Sequence, residues 1–192
     1  METPLEGAMI LTVAALGTEL LFAPRPQLRA GVGAGGRGRV GAWLSEHRPA
    51  GAVIIGFSGA THASLGAGSL VLVEGIVSDG RDPIPLDRAL VVRAQRELPG
   101  ATVGAVATVA QPADPAEKAR LGLDALAVDM ESAHLAEEFA GWGIPFLVVR
   151  VILDELWEDV SQFPVRWTGR AVAAARKLGQ AASALGPILE GR

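Results

Sequence analysis

Two acidic residues follow apolar segments at points where strands are expected to end. Glu131 comes directly after LAVDM, and Asp154 ends the segment PFLVVRVILD. Between them lies a helical pattern, AHLAEEFAGWG, which closes with Gly143 before Pro145. A strand, a crossover helix and a second strand place both strand ends at one edge of a parallel sheet, where α/β sheets bind ligands. The pattern predicts that the two carboxyl groups converge on a polar small molecule and perform acid–base chemistry.

A third acid, Glu19, follows the first apolar segment, MILTVAAL, within LGTEL. Taken alone, Glu19 is either an ordinary acid at the start of a helix or a third carboxylate at the ligand edge. Asp129 has the same ambiguity, because an acid in front of a helix is often a cap. The convergence of Glu19, Glu131 and Asp154 behind strands of one sheet favours a functional site.

Two glycine-rich stretches, GVGAGGRG and GFSGATHASLGAG, fall between periodic segments and are predicted to be loops at strand ends. GVGAGG matches G-x-G-x-x-G, but the next strand, AVIIGF, ends without the acid that a dinucleotide site needs. Two interpretations stay open for this loop: a backbone that approaches a ligand, or a tight turn. GFSGA resembles a hydrolase elbow, but no helix follows Ser58 and no histidine follows Asp154, which argues against a Ser–His–Asp enzyme.

The elements that must position these residues alternate along the chain. Predicted strands are MILTVAAL, AVIIGF, LVLVEGIV, VGAVATV, ALAV and PFLVVRVI. Predicted helices are GGRGRVGAWLSEH, PLDRALVVRAQREL, PADPAEKARLG, ESAHLAEEFAG and VRWTGRAVAAARKLGQAASALGPIL. The alternation predicts an α/β fold whose mainly parallel sheet is flanked by helices, and the Val-, Ile- and Leu-rich strands indicate burial on both faces.

Composition and charge limit the classes of function. The chain has 192 residues, a net charge of -4 and scattered basic residues, so we expect one domain and no nucleic-acid partner. Cysteine is absent and the three histidines lie far apart, so we expect no disulfide, thiolate nucleophile, metal or cofactor. Glu19 interrupts the N-terminal apolar segment, which favours a cytoplasmic protein without a membrane span. We predict a loose extension over residues 1–7 and one domain over 8–192.

A longer segment, AVDMESAHLAEEFAGWGIPFLVVRVILD, resembles the purine nucleoside phosphorylase and methylthioadenosine/S-adenosylhomocysteine nucleosidase superfamily. That superfamily carries V-[ED]-M-E-[SA], a helix and P-F-x-x-[VI]-R-x-[IV]-[SA]-D. GFSGATHASLGAGSLVLVE, GVGAGG and LGTEL resemble its other segments in the same order, and PAEKA with LAVDMES is similar to the short hopanoid-associated phosphorylase-like proteins. The resemblance implies a single-domain three-layer α/β/α sandwich with a mixed, mainly parallel central sheet.

The resemblance also implies a role for each candidate residue. Asp154 would protonate, or hydrogen-bond to, N7 of a purine, and Glu19 would deprotonate an attacking water. Glu131 would accept hydrogen bonds from the ribose hydroxyls, and Arg150 would support Asp154 or the loop below it. The other predicted substrate-binding residues are Met130, Asp129, Ser58, Gly59 and Phe57.

The implied function is a purine nucleosidase that hydrolyses the N-glycosidic bond of an adenine-type nucleoside such as methylthioadenosine or S-adenosylhomocysteine. The alternative is a phosphorylase, whose phosphate would meet Arg25, Arg29, Arg37 and the amides of residues 31–36. A futalosine-type hydrolase and a non-catalytic nucleoside-binding protein are further alternatives. The resemblance implies a homodimer or a higher homo-oligomer.

Overall fold

The computed structural model describes residues 9–159 and 167–191. The predicted extension over residues 1–7 and the predicted start of the last helix at Val165 lie outside these ranges. Within them the strands are β1 (Ile10–Ala14), β2 (Gln27–Arg29), β3 (Gly51–Ala60), β4 (Leu70–Ser78), β5 (Ile84–Pro85), β6 (Thr102–Thr108), β7 (Ala127–Asp129) and β8 (Phe146–Asp154). The helices are α1 (Gly35–Glu46), α2 (Arg88–Glu97), α3 (Pro115–Leu121), α4 (Ser132–Gly141) and α5 (Trp167–Glu190).

All the described strands belong to one mixed sheet. The strands pair in the order β2-β1-β3-β7-β6-β4-β5, and β8 pairs with both β3 and β4. Because β8 joins β3 to β4, strands β3, β8, β4, β6 and β7 close into a ring, and the sheet curves back on itself. Parallel pairs outnumber antiparallel ones, which confirms the predicted mixed, mainly parallel sheet.

The relation between β7 and β8 differs from the prediction. The sequence pattern predicted two parallel strands at one edge, but β3 lies between them, parallel to β8 and antiparallel to β7. β7 and β8 therefore run in opposite directions, and this part of the prediction is wrong. Their carboxyl ends still meet, because Gly59 near the end of β3 pairs with both Val128 and Asp154. The candidate site therefore lies where the carboxyl ends of β3, β7 and β8 come together.

Helices cover the sheet in two layers. α5 packs on β1, β3 and β8 with α2 beside it, whereas α4 packs on β3, β4, β6 and β8 with α1 beside it. The apolar side chains of β3 and β8 that lie between these helices are buried, as the runs of Val, Ile and Leu predicted. This arrangement confirms the predicted three-layer sandwich. No helix among the described residues has the length and apolar character that crossing a membrane requires.

Two local predictions are corrected by the structure. Residues 58–60, predicted to be part of a loop, continue β3, and the loop begins at Thr61. Strands β2 and β5 were not predicted, because three and two residues are too few to show a period. At the start of α3, Asp114 accepts a hydrogen bond from the Glu117 amide at 2.8 Å, with Pro115 at the first helical position.

Candidate active site

A cavity of about 240 Å³ opens where the carboxyl ends of β1, β3, β7 and β8 meet. All the predicted catalytic and substrate-binding residues line it, although they come from separate parts of the chain. The cavity wall is otherwise mostly apolar, apart from one lysine. The lining residues are Ala15, Leu16, Glu19, Val32, Phe57, Ser58, Gly59, Val109, Pro112, Ala113, Lys118, Val128, Asp129, Met130, Glu131, Leu153 and Asp154.

Glu19 lies in the turn after β1 and is 3% exposed. Its Oε2 accepts the Leu16 amide at 2.7 Å, and its Oε1 accepts the Phe57 amide of neighbouring β3 at 2.8 Å. Burial raises the pKa of Glu19 from 4.5 to about 7, against the opposing effect of the two amides and of Arg150. A carboxyl group with this pKa is partly ionised near neutral pH, and a pKa close to the working pH suits a general base.

Glu131 follows β7 and faces the glycine loop in front of α1. The amide of Gly33 donates to Oε1 of Glu131 at 3.4 Å. Gly31 and Gly33 have φ values of 93° and 68°, which favour glycine at both positions. Burial raises the pKa of Glu131, and the Arg150 charge opposes that rise. The GVGAGG loop therefore belongs to the wall of the candidate site and is more than a turn.

Asp154 is the last residue of β8, and its only hydrogen-bonding side-chain partner among the described residues is Lys118 of α3. Both side chains are buried, at 8% and 2% exposure. Burial raises the pKa of Asp154, and the Lys118 ammonium opposes this effect. The environment of Asp154 thus differs from that of Glu19, whose hydrogen bonds come from backbone amides. Two acids in contrasting environments can hold different protonation states at one pH.

Asp129 lines the cavity, but its carboxylate is occupied by protein donors. Oδ1 accepts from the Thr108 hydroxyl at 2.9 Å and from the amides of Glu131 and Ser132 at 3.2 and 3.1 Å. Oδ2 lies 2.8 Å from Nε of Arg150 and accepts from the Ser132 hydroxyl. Asp129 therefore joins β6, β7 and β8 at the start of α4. These contacts orient the neighbouring Glu131.

Arg150 was predicted to support Asp154 or the loop below it, and in the structure its partners are Asp129 and Ser132. Arg150 is 1% exposed, and besides Asp129 it donates to the Ser132 hydroxyl at 2.7 Å through Nη2. A bulge separates Arg150 from Asp154, since Ser58 pairs with residue 152 and Gly59 with residue 154. The extra residue changes the alternation of side chains along β8, so that Arg150 and Asp154 have separate partners.

Two glycines of β3 leave space for the buried cations. A Cβ atom on Gly56 would lie 1.8 Å from Nη1 of Arg150. A Cβ atom on Gly59 would lie 2.9 Å from both Cε of Lys118 and Oδ2 of Asp154. Between them, the Ser58 hydroxyl is buried without a hydrogen-bond partner in the described structure. An unpaired hydroxyl beside a cavity is a candidate ligand contact, because leaving it unpaired is costly.

Solved structures with a similar fold include nucleosidases and a related hydrolase. The MTA/SAH nucleosidase of Streptococcus pneumoniae, solved with 8-aminoadenine, has a TM-score of 0.78 at 18% identity, over 92% of this chain and 98% of that one. The nucleosidase of Colwellia psychrerythraea 34H, solved with adenine, has a TM-score of 0.79 at 18% identity, over 96% of each chain. A futalosine hydrolase mutant of Helicobacter pylori has a TM-score of 0.77 at 17% identity, over 92% of this chain and 99% of that one.

The chain has the fold of these MTA/SAH nucleosidases and of this futalosine hydrolase. This likeness confirms the fold that the sequence resemblance implied. No protein-family model matches the sequence, and no curated protein matches it significantly. Because one fold supports several activities, the function has to be argued from the site itself.

Among the residues that the structure describes, no cluster of cations that could bind a phosphate lines the cavity. Arg37, one of the predicted candidates, is paired with Glu138 at 2.9 Å and with Glu137 at 3.1 Å on the surface. Arg25 and Arg29 are absent from the cavity wall, and Lys118 is the one cation among the described residues that line it. No group of described His, Asp and Glu residues is arranged to hold a metal ion.

Lys118 is the charged residue of the cavity wall that was not predicted from the sequence. Lys118 and Leu121 are the buried residues of α3, three positions apart on one face. A lysine at an apolar position of an amphipathic helix was the available signal, and it is a weak one because lysines are mostly exposed. Its partner lies 36 residues away in sequence, beyond the reach of any local pattern.

Proposed function

We propose that the protein is a purine nucleosidase, which hydrolyses the N-glycosidic bond of an adenine-type nucleoside such as methylthioadenosine or S-adenosylhomocysteine. The observation that carries this proposal is the grouping of Glu19, Glu131 and Asp154 around one mostly apolar cavity. Glycosidic bond hydrolysis needs a group that protonates the leaving group, a group that activates water and negative charge near the sugar. Three carboxyl groups in different environments suit these three tasks.

In the proposed reaction, protonated Asp154 donates its proton to N7 of the purine as the bond between C1′ and N9 breaks. The departing base carries away the bonding electron pair, and positive charge develops on the sugar. Ionised Glu131, beside the sugar, stabilises this charge and accepts hydrogen bonds from the ribose hydroxyls. A water molecule then adds to C1′, and Glu19 accepts the proton that the water loses. A general acid of this kind contributes roughly 10²–10⁴-fold to the rate.

The hydrogen bonds of Glu19 support its role as the base. Each of its oxygens accepts one backbone amide, and a carboxylate oxygen can accept more than one hydrogen bond. The two amides thus hold the carboxylate in place and leave acceptor capacity for a water molecule. The raised pKa, about 7, makes the ionised form a better proton acceptor than an exposed glutamate.

Water is favoured over phosphate as the nucleophile. Phosphorolysis requires cationic or amide donors for the anion. The ammonium group of Lys118 is already bonded to Asp154, and Glu19 and Glu131 would repel a phosphate. For hydrolysis the nucleophile is a neutral water molecule, and Glu19 has acceptor capacity left for it.

A futalosine-type hydrolase is the second candidate for the same site. The similarity to futalosine hydrolase of Helicobacter pylori favours it, at a TM-score close to those of the nucleosidases. Both candidates break the same kind of bond, and they differ in the base and in the group at the sugar 5′ position. The homo-oligomer and the cytoplasmic location stay predictions from the sequence.

The test is a panel of nucleosides incubated with the protein in the presence and absence of phosphate. The panel contains methylthioadenosine, S-adenosylhomocysteine, futalosine, adenosine and inosine, and the products are separated as free base and free sugar. We expect release of adenine and a reducing sugar without phosphate. A strict phosphate requirement would instead establish a phosphorylase, and tight adenine binding without turnover of any nucleoside would indicate a binding protein.

A further inference from the structure

Lys118 is a buried lysine whose donors are all occupied. It is 1% exposed, although it lies on a short helix at the protein surface. Its ammonium group donates to Oδ2 of Asp154 and to the carbonyl oxygens of Glu155 at 3.0 Å and Glu158 at 2.6 Å. An ammonium group has three N–H donors, so this set of acceptors uses them all. Lys118 is thereby held in one position beside the predicted general acid.

The surrounding structure is shaped for this contact. The cap at Asp114 fixes the start of α3. Lys118, the fourth residue of this helix, therefore lies on the buried face together with Leu121. Across the cavity wall, β3 has Gly59 at a point where a side chain would press on the pair. A Cβ atom there would meet both Lys118 and Asp154 at 2.9 Å, closer than side chains pack.

The contact distinguishes the two oxygens of Asp154. A protonated carboxyl group carries its hydrogen on one oxygen, and an oxygen that already faces an ammonium donor is the less favourable place for it. With Oδ2 engaged by Lys118, the proton is favoured on Oδ1. A carboxyl group held at one oxygen also keeps a single orientation, which proton transfer to a ring nitrogen requires.

We propose that Lys118 is the positioning residue of the general acid, holding Oδ2 of Asp154 so that Oδ1 presents the proton to the purine. The proposal rests on the proposed function and deepens it, because it names the group on which the acid depends. Lys118 itself acts through Asp154, and no contact with substrate is assigned to it.

The charges around Asp154 give the proposal a measurable consequence. Lys118 of α3 lowers the pKa of Asp154, and Glu158, beyond the end of β8, raises it. Glu158 is in turn bonded to Arg170 of α5 at 2.6 Å, and the Glu155 carboxylate accepts the Ala67 amide at 3.1 Å. Removal of the Lys118 charge alone should therefore raise the pH at which Asp154 loses its proton.

The experiment compares Lys118→Met with Lys177→Met in the full chain. Methionine keeps the apolar stem of the lysine and removes its charge. Lys177 is the other lysine of the chain, and its Nζ donates to the Gly68 carbonyl oxygen at 2.6 Å, on the exposed surface away from the cavity. We expect kcat for the best substrate of the panel to fall about 10- to 100-fold in Lys118→Met, with KM changed less than threefold, since a positioned acid acts mainly in the transition state.

The same variants are titrated by ¹³C NMR of the aspartate carboxyl carbons, with Asp154→Asn identifying the Asp154 signal. We expect the midpoint for Asp154 to be higher in Lys118→Met than in the wild type and in Lys177→Met. An unchanged midpoint together with an unchanged kcat would overturn the proposal. This titration needs no turnover, so a wild type that cleaves no nucleoside refutes the proposed function while the midpoints still decide the role of Lys118.

A second variant covers the case in which Lys118→Met does not fold, as judged by circular dichroism. Gly59→Ala keeps both charges and forces Lys118 and Asp154 apart through the added Cβ atom. We expect it to change the Asp154 midpoint in the same direction. A folded Gly59→Ala protein with a wild-type midpoint would contradict the proposal.

Discussion

At the scale of single residues, the candidate acid and the candidate base differ in the donors that surround them. Asp154 is held by an ammonium group, whereas Glu19 is held by two backbone amides. Both are buried, and burial raises the pKa of both. The two carboxyl groups therefore have different surroundings, which allows them to hold different protonation states at one pH and to divide the acid and base roles.

Replacing Asp154 with asparagine removes the transferable proton and keeps the size of the side chain. We expect base release to fall by roughly 10²–10⁴-fold, while binding of adenine changes little. Initial rates and calorimetric titration with adenine measure the two effects. Asp124→Asn is the matched control, because Asp124 is exposed and lies outside the cavity. Equal activity in Asp154→Asn would refute its assigned role.

Glu19 should make the stability of the protein depend on pH. Its pKa is about 7 in the folded protein and 4.5 ordinarily. The contribution of Glu19 to the unfolding free energy is therefore most favourable below pH 4.5 and is lost as the pH rises through 7. Glu19→Gln removes this dependence and should also abolish hydrolysis. Between about pH 5 and pH 8, we expect the unfolding free energy of the wild type to fall by on the order of 2 kcal/mol more than that of Glu19→Gln. Urea denaturation at several pH values measures it, and parallel pH profiles would contradict the burial argument.

Ser58 has a hydroxyl group that is buried and unpaired in the described structure. If this hydroxyl bonds to the bound base, Ser58→Ala should weaken adenine binding by about 3- to 10-fold, the usual value of one neutral hydrogen bond. The melting temperature should stay unchanged or rise, because an unsatisfied polar group is removed. Calorimetry measures the adenine affinity and thermal melting measures the stability. Ser45→Ala is the control, because Ser45 is exposed on α1. Unchanged adenine affinity would show that Ser58 does not contact the base.

At the scale of elements, the junction between β7 and α4 is built around a buried ion pair. Asp129 accepts the amides that open α4 and pairs with Arg150 of β8 at 2.8 Å. The same junction carries Glu131, which faces the cavity. The geometry of Glu131, the proposed sugar-binding acid, therefore depends on a contact between β7 and β8, which α4 separates in the sequence.

Asp129→Ala would leave the Arg150 charge buried without its carboxylate partner. We expect the unfolding free energy to fall by about 3–5 kcal/mol, the usual effect of breaking a buried pair. Asp87→Ala is a matched comparison, because Asp87 also accepts two amides at a helix start, yet is exposed. That variant should lose only about 1 kcal/mol. Equal losses by urea denaturation would mean that Asp129 acts as a cap alone.

At the scale of the whole molecule, the turn that carries Glu19 also exposes apolar side chains. Leu21 is 61% exposed and Phe22 is 45% exposed, two and three residues beyond the candidate base. Apolar groups that lie next to each other on a surface often mark a contact with another protein. The homo-oligomer implied by the sequence resemblance offers such a contact.

We predict that Leu21→Lys shifts the protein from a homo-oligomer toward monomers. Burying apolar surface between subunits is favourable, and a charge in its place would oppose association. Analytical ultracentrifugation of wild type and variant measures the mass. Leu123→Lys is the control, since Leu123 is 84% exposed and lies next to α3, away from this turn. A monomeric wild type would contradict the predicted oligomer.

Sequence patterns and the family resemblance were sufficient for most elements and for every polar residue of the cavity wall except Lys118. Glu131 and Asp154 were recognised because strong apolar runs end at them, and Glu19 because it follows the first strand. These are local signals that depend on a few neighbouring residues. Lys118 could not be recognised in this way, since its burial results from partners supplied by β8 and the chain beyond it.

The sequence by itself therefore determined the alternation of strands and helices, the kind of fold and the acidic groups available for chemistry. Only the tertiary structure decided how those groups are arranged. It set β7 and β8 in opposite directions around β3, paired Arg150 with Asp129, and placed Lys118 on Asp154. The physical reason is that periodicity and caps depend on near neighbours, whereas strand order and buried charge pairs depend on contacts between distant parts of the chain.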